Sequence, residues 1–208
     1  MKKILILKRL NKDRNINIKM EKERKISEEL ARIHAHLCGD GSICIWRTKE
    51  KDRNFRGVVG YYNKNQKLLD KFRKDFSKLF GVKMKMRENR EVSVKSLKIV
   101  KHLLSRFGKF GSREWLVHNS IKNSDNKIKL GWLKAFFEDE AYHERRYDRL
   151  KTKSMNYCGL KDAKEMLDSL NIKSNLTGPN CDGSYYLTIP QFSLVEEFKD
   201  FVKEPIRK

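Results

Sequence analysis

The segment Ile33-His34-Ala35-His36-Leu37-Cys38-Gly39-Asp40-Gly41 has a counterpart one hundred residues later, Leu133-Lys134-Ala135-Phe136-Phe137-Glu138-Asp139-Glu140-Ala141. Each is an apolar run with helical spacing, small residues on one stripe and an acidic side chain at its C-terminal end. A carboxylate in that position meets the negative end of the helix macrodipole, an unfavourable arrangement unless a cation compensates. A chain that makes this choice twice, at matching places, is constrained to bring both ends near something positive. The reading is a paired metal site facing a polyanion.

What surrounds the two segments repeats as well. Ser27 is suited to cap the first helix, with Glu28 and Glu29 in its favourable first turn. Ala31, Ala35 and Gly39 fall four apart, small enough to admit a second helix closely, and Gly41 is placed to close the helix. Residues 42–63 read as a hairpin. Residues 66–80 have helical apolar spacing and stop at Gly81, and 83–87 alternate as a strand with one packed face. Val92 and Val94 mark the returning strand, and 97–107 a short helix. The order then recurs: helix 130–141, hairpin 145–156, helix 160–170, strand 185–189 and an apolar segment 192–201. Leu170-Asn171-Ile172-Lys173 echoes Phe80-Gly81-Val82-Lys83. The pattern predicts an α+β fold of two pseudo-twofold-related αββαββα units, at 26–118 and 130–204. A basic leader (1–25) precedes them and a polar linker (119–129) joins them.

Composition narrows the partners. With 48 Lys+Arg against 27 Asp+Glu, the 208-residue chain carries a net charge of +21. Such an excess points to nucleic acid or an anionic membrane surface. Aromatic and Asn side chains interleaved with the charge favour nucleic acid over a merely ion-paired surface. No apolar stretch approaches the roughly 20 residues that span a bilayer. The run from Met1 to Leu7 is cut short by Lys8 and Arg9, so it does not make a signal peptide, and the chain is expected in the cytoplasm. Cys38, Cys44, Cys158 and Cys181 form no CxxC pair or zinc-finger spacing and read as reduced thiols, two of them buried.

Two acid-terminated helices, each opening an αββαββα unit in a basic chain, resemble the LAGLIDADG homing endonucleases in their double-motif, single-chain form. The resemblance covers residues 27–202. Its best match is His36-Leu37-Cys38-Gly39-Asp40-Gly41-Ser42, which keeps the G-D-G-S ending; the second motif has Asp139 at a small-residue position and Ala141 in place of glycine. The resemblance implies two motif helices packed at the pseudo-dyad and a saddle of antiparallel sheets lying in a DNA major groove. Asp40 and Glu140 would bind Mg²⁺ or Mn²⁺, with the carbonyls of Gly39 and Asp139 as further ligands; whether Asp139 or Glu140 points into the site is left open. It also implies a water-positioning role for Asn63 and Asn156, phosphate stabilisation by Lys64, and a basic stretch around Lys109 and Arg113.

In-line phosphodiester hydrolysis requires an activated water and charge relief at phosphorus and at the leaving oxygen, which hard divalent cations supply. DNA contacts are expected on basic strand faces. In the first half these are Arg47 and Lys49, with Arg53 and Arg56 at the hairpin loop, then Lys83, Lys85 and Arg87. In the second half they are Arg145, Tyr147, Arg149, Lys151 and Lys153. Two functions follow. One is a monomeric, site-specific double-stranded DNA endonuclease. The other is a cleavage-deficient binder of the same fold, an intron RNA maturase or a transcription factor. The retained acids favour the enzyme, because a pure binder has no need of them.

Overall fold

The computed structural model describes residues 26–48 and 55–198. The leader 1–25, Lys49, Arg53 and the segment beyond 198 lie outside the described residues. Ser27 caps α1 (Glu28–Cys38), its hydroxyl accepting from the Leu30 amide at 3.2 Å. The helix closes when Gly39 N–H returns to Ala35 O, one turn earlier than the glycine-closed helix expected from the sequence. Asp40 sits between α1 and β1 (Gly41–Arg47). Gly41 is required for proximity: an added Cβ would stand 2.5 Å from Leu37 Cα.

The first unit continues through β2 (Phe55–Tyr62), α2 (Gln66–Phe80), β3 (Lys85–Arg87), β4 (Glu91–Lys95) and α3 (Leu97–Phe107). The stretch read as a linker holds α4 (Asn119–Lys122), with Ile121 fully buried, and the first turn of α5 (Asn126–Glu140), which Asp125 caps. A good N-cap inside a polar run extends the helix upstream of its apolar stripe. The second unit follows with β5 (Ala141–Glu144), β6 (Arg149–Ser154), α6 (Tyr157–Ser169), β7 (Asn175–Thr177) and β8 (Tyr185–Pro190). The hairpin therefore starts at Ala141 rather than at Arg145. Arg145–Tyr147 forms a single 3₁₀ turn in its loop, closed by Asp148 in the left-handed region. Where the sequence suggested a closing helix, the described residues carry two 3₁₀ turns, Phe192–Leu194 and Glu196–Phe198.

Both sheets are antiparallel and have the same order, β1-β2-β4-β3 and β5-β6-β8-β7. The echo at the ends of α2 and α6 is realised too, since Gly81 and Asn171 are both left-handed and Val82 and Ile172 are both buried behind them. In each sheet one pleat face is covered. Gly57, Val59 and Tyr61 of β2 are buried, as are Leu150 and Thr152 of β6. Gly57 is needed because Leu97 and Val100 of α3 press within 3.1 Å of where its Cβ would be.

Between the sheets α1 and α5 pack in the same direction. Gly131 meets Glu28 near the N-terminal ends, and Gly39 meets Asp139 at the C-terminal ends. Nearly every residue of α1 from Leu30 to Cys38 is buried. Trp132, Phe136 and Phe137 of α5 are buried with it, Trp132 stacked on Phe136 at 5.1 Å. Arg32 ties α1 to α2 through a two-point pair with Asp75, at 2.7 and 2.9 Å. An added Cβ on Gly39 would lie 2.9 Å from both Cβ and Oδ2 of Asp139. Gly39→Ala is therefore expected to destabilise the protein by about 1–3 kcal/mol, as overpacked cores do. Urea unfolding would measure this, and a wild-type midpoint would contradict the close crossing.

Candidate active site

The crossing sets the site. Gly39 and Asp139 touch, and the residues after them are Asp40 and Glu140, so both motif acids emerge at one end of the helix pair, between the two sheets. Asp40 is exposed and Glu140 half-buried. Asn63, just after β2, donates from Nδ2 to Asp40 Oδ2 at 3.1 Å and, more weakly, to Asp139 Oδ1 at 3.4 Å. Its own Oδ1 accepts from the Asn65 amide at 2.8 Å, which fixes the orientation of the carboxamide. Lys64 is exposed beside it.

Asp139 points inward. Its Oδ1 accepts from the Tyr61 hydroxyl at 2.6 Å and its Oδ2 meets His36 Nδ1 at 2.9 Å, with the side chain fully buried. Burial first, and then the Asp139 carboxylate, push the Tyr61 phenol far above its ordinary value, so it stays a donor throughout the working pH range. Of the two acids ending α5, it is Asp139 that is turned into the protein.

Asn156 is not the counterpart of Asn63. It is a buried N-cap of α6: Oδ1 accepts from Gly159 N–H at 3.1 Å, and Nδ2 donates to Trp115 O at 2.6 Å. Sheet register explains the slip. Gly41 pairs with Tyr61 and Ala141 with Thr152, so Asn63, two beyond Tyr61, corresponds to Ser154. Asn156 corresponds instead to Asn65, the N-cap of α2. Ser154 Oγ accepts from the Asn156 amide as Asn63 accepts from Asn65.

Register also sorts the expected DNA contacts. Arg56, Lys85 and Arg87 share the uncovered pleat face of the first sheet, and Lys83 is exposed just before β3. Arg47 pairs with Phe55 and so falls on the opposite face, its guanidinium 6.0 Å from the Phe55 ring. On the second sheet Arg149, Lys151 and Lys153 share the uncovered face as expected, whereas Arg145 and Tyr147 lie in the 3₁₀ turn. Tyr147 carries Arg146 and Arg149 against its ring, at 5.4 and 5.1 Å. Lys109 and Arg113 sit in an exposed loop, Lys109 paired with Glu114 at 2.7 Å.

Some members of these faces were missed in the sequence. Trp46, read as a packing residue, is 42% exposed and sits on the same face as Arg56. Lys95 belongs there through its pairing with Val58. In the second sheet Lys151 lies 4.6 Å from the Tyr186 ring and 5.9 Å from that of Tyr142. Only strand pairing reveals these neighbours. Of the cysteines, Cys38 alone is buried, one fewer than expected, and all four are free thiols.

This architecture is the LAGLIDADG fold: two equivalent antiparallel sheets about a crossed pair of acid-terminated helices. The chain is similar to a mesophilic variant of the homing endonuclease I-DmoI at 17% identity and a TM-score of 0.58, over 86% of this chain and 99% of that one. It is similar to I-DmoI in complex with DNA and Mn at 18% identity and TM-score 0.57, covering 84% and 98%. The K262A mutant of I-SmaMI matches at 11% identity and TM-score 0.52, covering 85% of each chain. No protein-family model and no curated protein matches the sequence.

Beneath the site, the Trp132 indole donates to His34 Nδ1 at 2.8 Å, within an aromatic cluster that includes Phe107 and Phe110. Burial first, then the neighbouring His118, lower the His34 pKa to about 3. In the unfolded chain a histidine titrates near ~6.5. Between those values the unfolded state binds a proton that the native state refuses. The contribution is therefore complete above about pH 6.5 and is lost as pH falls toward about 3. Urea titrations should show a decline of up to about 1.4 kcal/mol per pH unit from this group in that window. His34→Leu should flatten it, and an unchanged slope would refute the assignment.

Proposed function

We propose that this chain is a site-specific double-stranded DNA endonuclease, acting as a monomer whose two halves each serve one strand. One observation carries the reading. The contact between Gly39 and Asp139 brings the acids that follow, Asp40 and Glu140, to one end of a helix pair flanked by two basic sheet faces. A helix C-terminus is a poor place for a carboxylate, so a pair of them next to polyanion-binding surfaces points to cation-assisted hydrolysis. That I-DmoI was solved with its target DNA and Mg or Mn fits the same reading.

Among the described residues no group of three His, Cys, Asp or Glu side chains is arranged to hold a metal. This suits Mg²⁺ or Mn²⁺, which accept one or two carboxylates, backbone carbonyls, waters and substrate phosphates. Asp40 and Glu140 would hold such a cation, with the carbonyls of Gly39 and Asp139 as additional ligands. When bound, it lowers the pKa of the attacking water and relieves charge on the phosphate. Asn63 orients Asp40, and Lys64 is available to the developing phosphate charge. Arg56, Lys83, Lys85 and Arg87, with Arg149, Lys151 and Lys153, are the DNA-contacting set; Arg145 and Tyr147 would meet the duplex from the loop.

The test is cleavage of plasmid libraries with Mg²⁺, running Asp40→Asn and Glu140→Gln beside wild type. Cutting by wild type and loss of cutting in both variants is expected; variants that cut like wild type would refute the assignment of the acids. A chelator should abolish cutting while lowering the melting temperature little. A wild type that cuts nothing yet binds intron RNA specifically would establish the maturase instead.

Binding should weaken steeply with salt, by about 0.9 log units per log unit of salt for each phosphate neutralised. Removing one phosphate-contacting lysine, by Lys85→Ala for example, should reduce that slope by about 1. An unchanged slope across all the face variants would mean that DNA lies elsewhere.

A further inference from the structure

The cluster of Asp139, Tyr61, His36 and Asn63 exists on one side of the pseudo-dyad only. Asp139 belongs to the second half, but its carboxylate is inserted into the first. There Tyr61 and His36 hold its two oxygens, and Asn63 links it to Asp40. The related positions are occupied differently. Gly39 stands for Asp139, Phe136 for His36, and by sheet register Thr152 stands for Tyr61 and Ser154 for Asn63. Glycine offers no carboxylate and phenylalanine no polar atom. Thr152 Oγ1 is buried with no hydrogen-bond partner among the described residues. Ser154 has a short hydroxyl where Asn63 has an amide that reaches two carboxylates.

The cluster is also awkward for folding alone, which argues that packing is not its purpose. A carboxylate only accepts, so the His36 proton lies on Nδ1 and Nε2 is left as a bare acceptor. That Nε2 is buried without a partner, a defect that Phe136 avoids on the other side. Buried groups of this kind call for an explanation. Here it is mechanical. His36 and Tyr61 clamp Asp139, leaving Asp139 Oδ1 as a fixed point for one amide proton of Asn63 while the carboxamide reaches Asp40.

We propose that Asp139, Tyr61 and His36 are positioning residues that hold Asn63 and through it the Asp40 carboxylate, and that the two strands of the duplex are consequently cut by unequal sites. The proposal rests on the endonuclease reading and goes beyond it, because symmetry of the fold alone would give equal sites. The asymmetry concerns the chemical step and not binding, since all three groups are buried away from the sheet faces.

The experiment follows each strand separately on a labelled target duplex, under single-turnover conditions with Mg²⁺. Asn63→Ala identifies the strand served by the Asp40 side. Tyr61→Phe and Asp139→Asn are expected to slow that same strand by about 10–100-fold, the usual effect of removing a group that orients a metal ligand. The other strand should keep its wild-type rate, as should the Kd for the duplex measured in EDTA. Should Asp139→Asn fail to fold, Tyr61→Phe, which removes a single oxygen, carries the test. Independently of cutting, nitrogen NMR should find His36 as the Nδ1–H tautomer in wild type. Equal slowing of both strands, no slowing, or an Nε2–H tautomer would overturn the positioning role while leaving the endonuclease reading intact. A wild type that cuts no duplex would remove both.

Discussion

Everything distinctive in this molecule depends on how closely α1 and α5 approach at their C-terminal ends. With glycine at 39, the second helix can lay the Asp139 side chain against the first, and the added Cβ that would block it has no room. That one contact brings Asp40 and Glu140 together, sets the two sheets on either side and carries a buried carboxylate across the dyad. A buried charge is tolerable only with hydrogen-bond partners. Tyr61 and His36 supply them, and both are anchored by stacking with Phe72, at 4.6 and 5.8 Å. Packing and polarity therefore specify the same geometry from two directions.

The sheets translate that geometry into a surface. Because side chains alternate along a strand, register alone decides which basic residues look outward. Met86, Val92 and Val94 of the first sheet turn toward the core while Lys85, Arg87 and Lys95 turn away. In the second sheet the lysines lie over tyrosine rings, which restrict a flexible side chain and give a fixed positive edge. The two faces are alike in charge and unlike in texture, the first presenting an exposed Trp46 and the second a tyrosine–lysine ladder.

Much of the fold was legible in the sequence where one local rule sufficed. The bounds of α2 follow from Asn65, the apolar spacing and Gly81, each of which acts within one turn. The duplicated order emerged because both halves repeat the same periodicities, and Asp40 was legible because its motif is nearly complete. The errors fall where local rules compete or run out. Asn156 looked like the partner of Asn63 because both are asparagines at a strand's end. Strand pairing shows that one caps a helix and the other faces an acid. The second hairpin was placed late because Arg145 to Lys153 alternates well enough to imitate a strand, while the left-handed Asp148 that breaks it leaves no strong signal in the sequence.

The sequence by itself determined the class of architecture, the positive charge and the two acid-terminated helices, since propensity, periodicity and composition are properties of short segments and sums. Tertiary structure decided what Asp139 does, which face Arg47 occupies and which residues are twofold mates. Those depend on groups up to one hundred and three residues apart meeting at hydrogen-bond distance, as His36 and Asp139 do. No local pattern encodes which atoms will meet at that separation. It is settled only when two helices close on each other and leave room for one carboxylate.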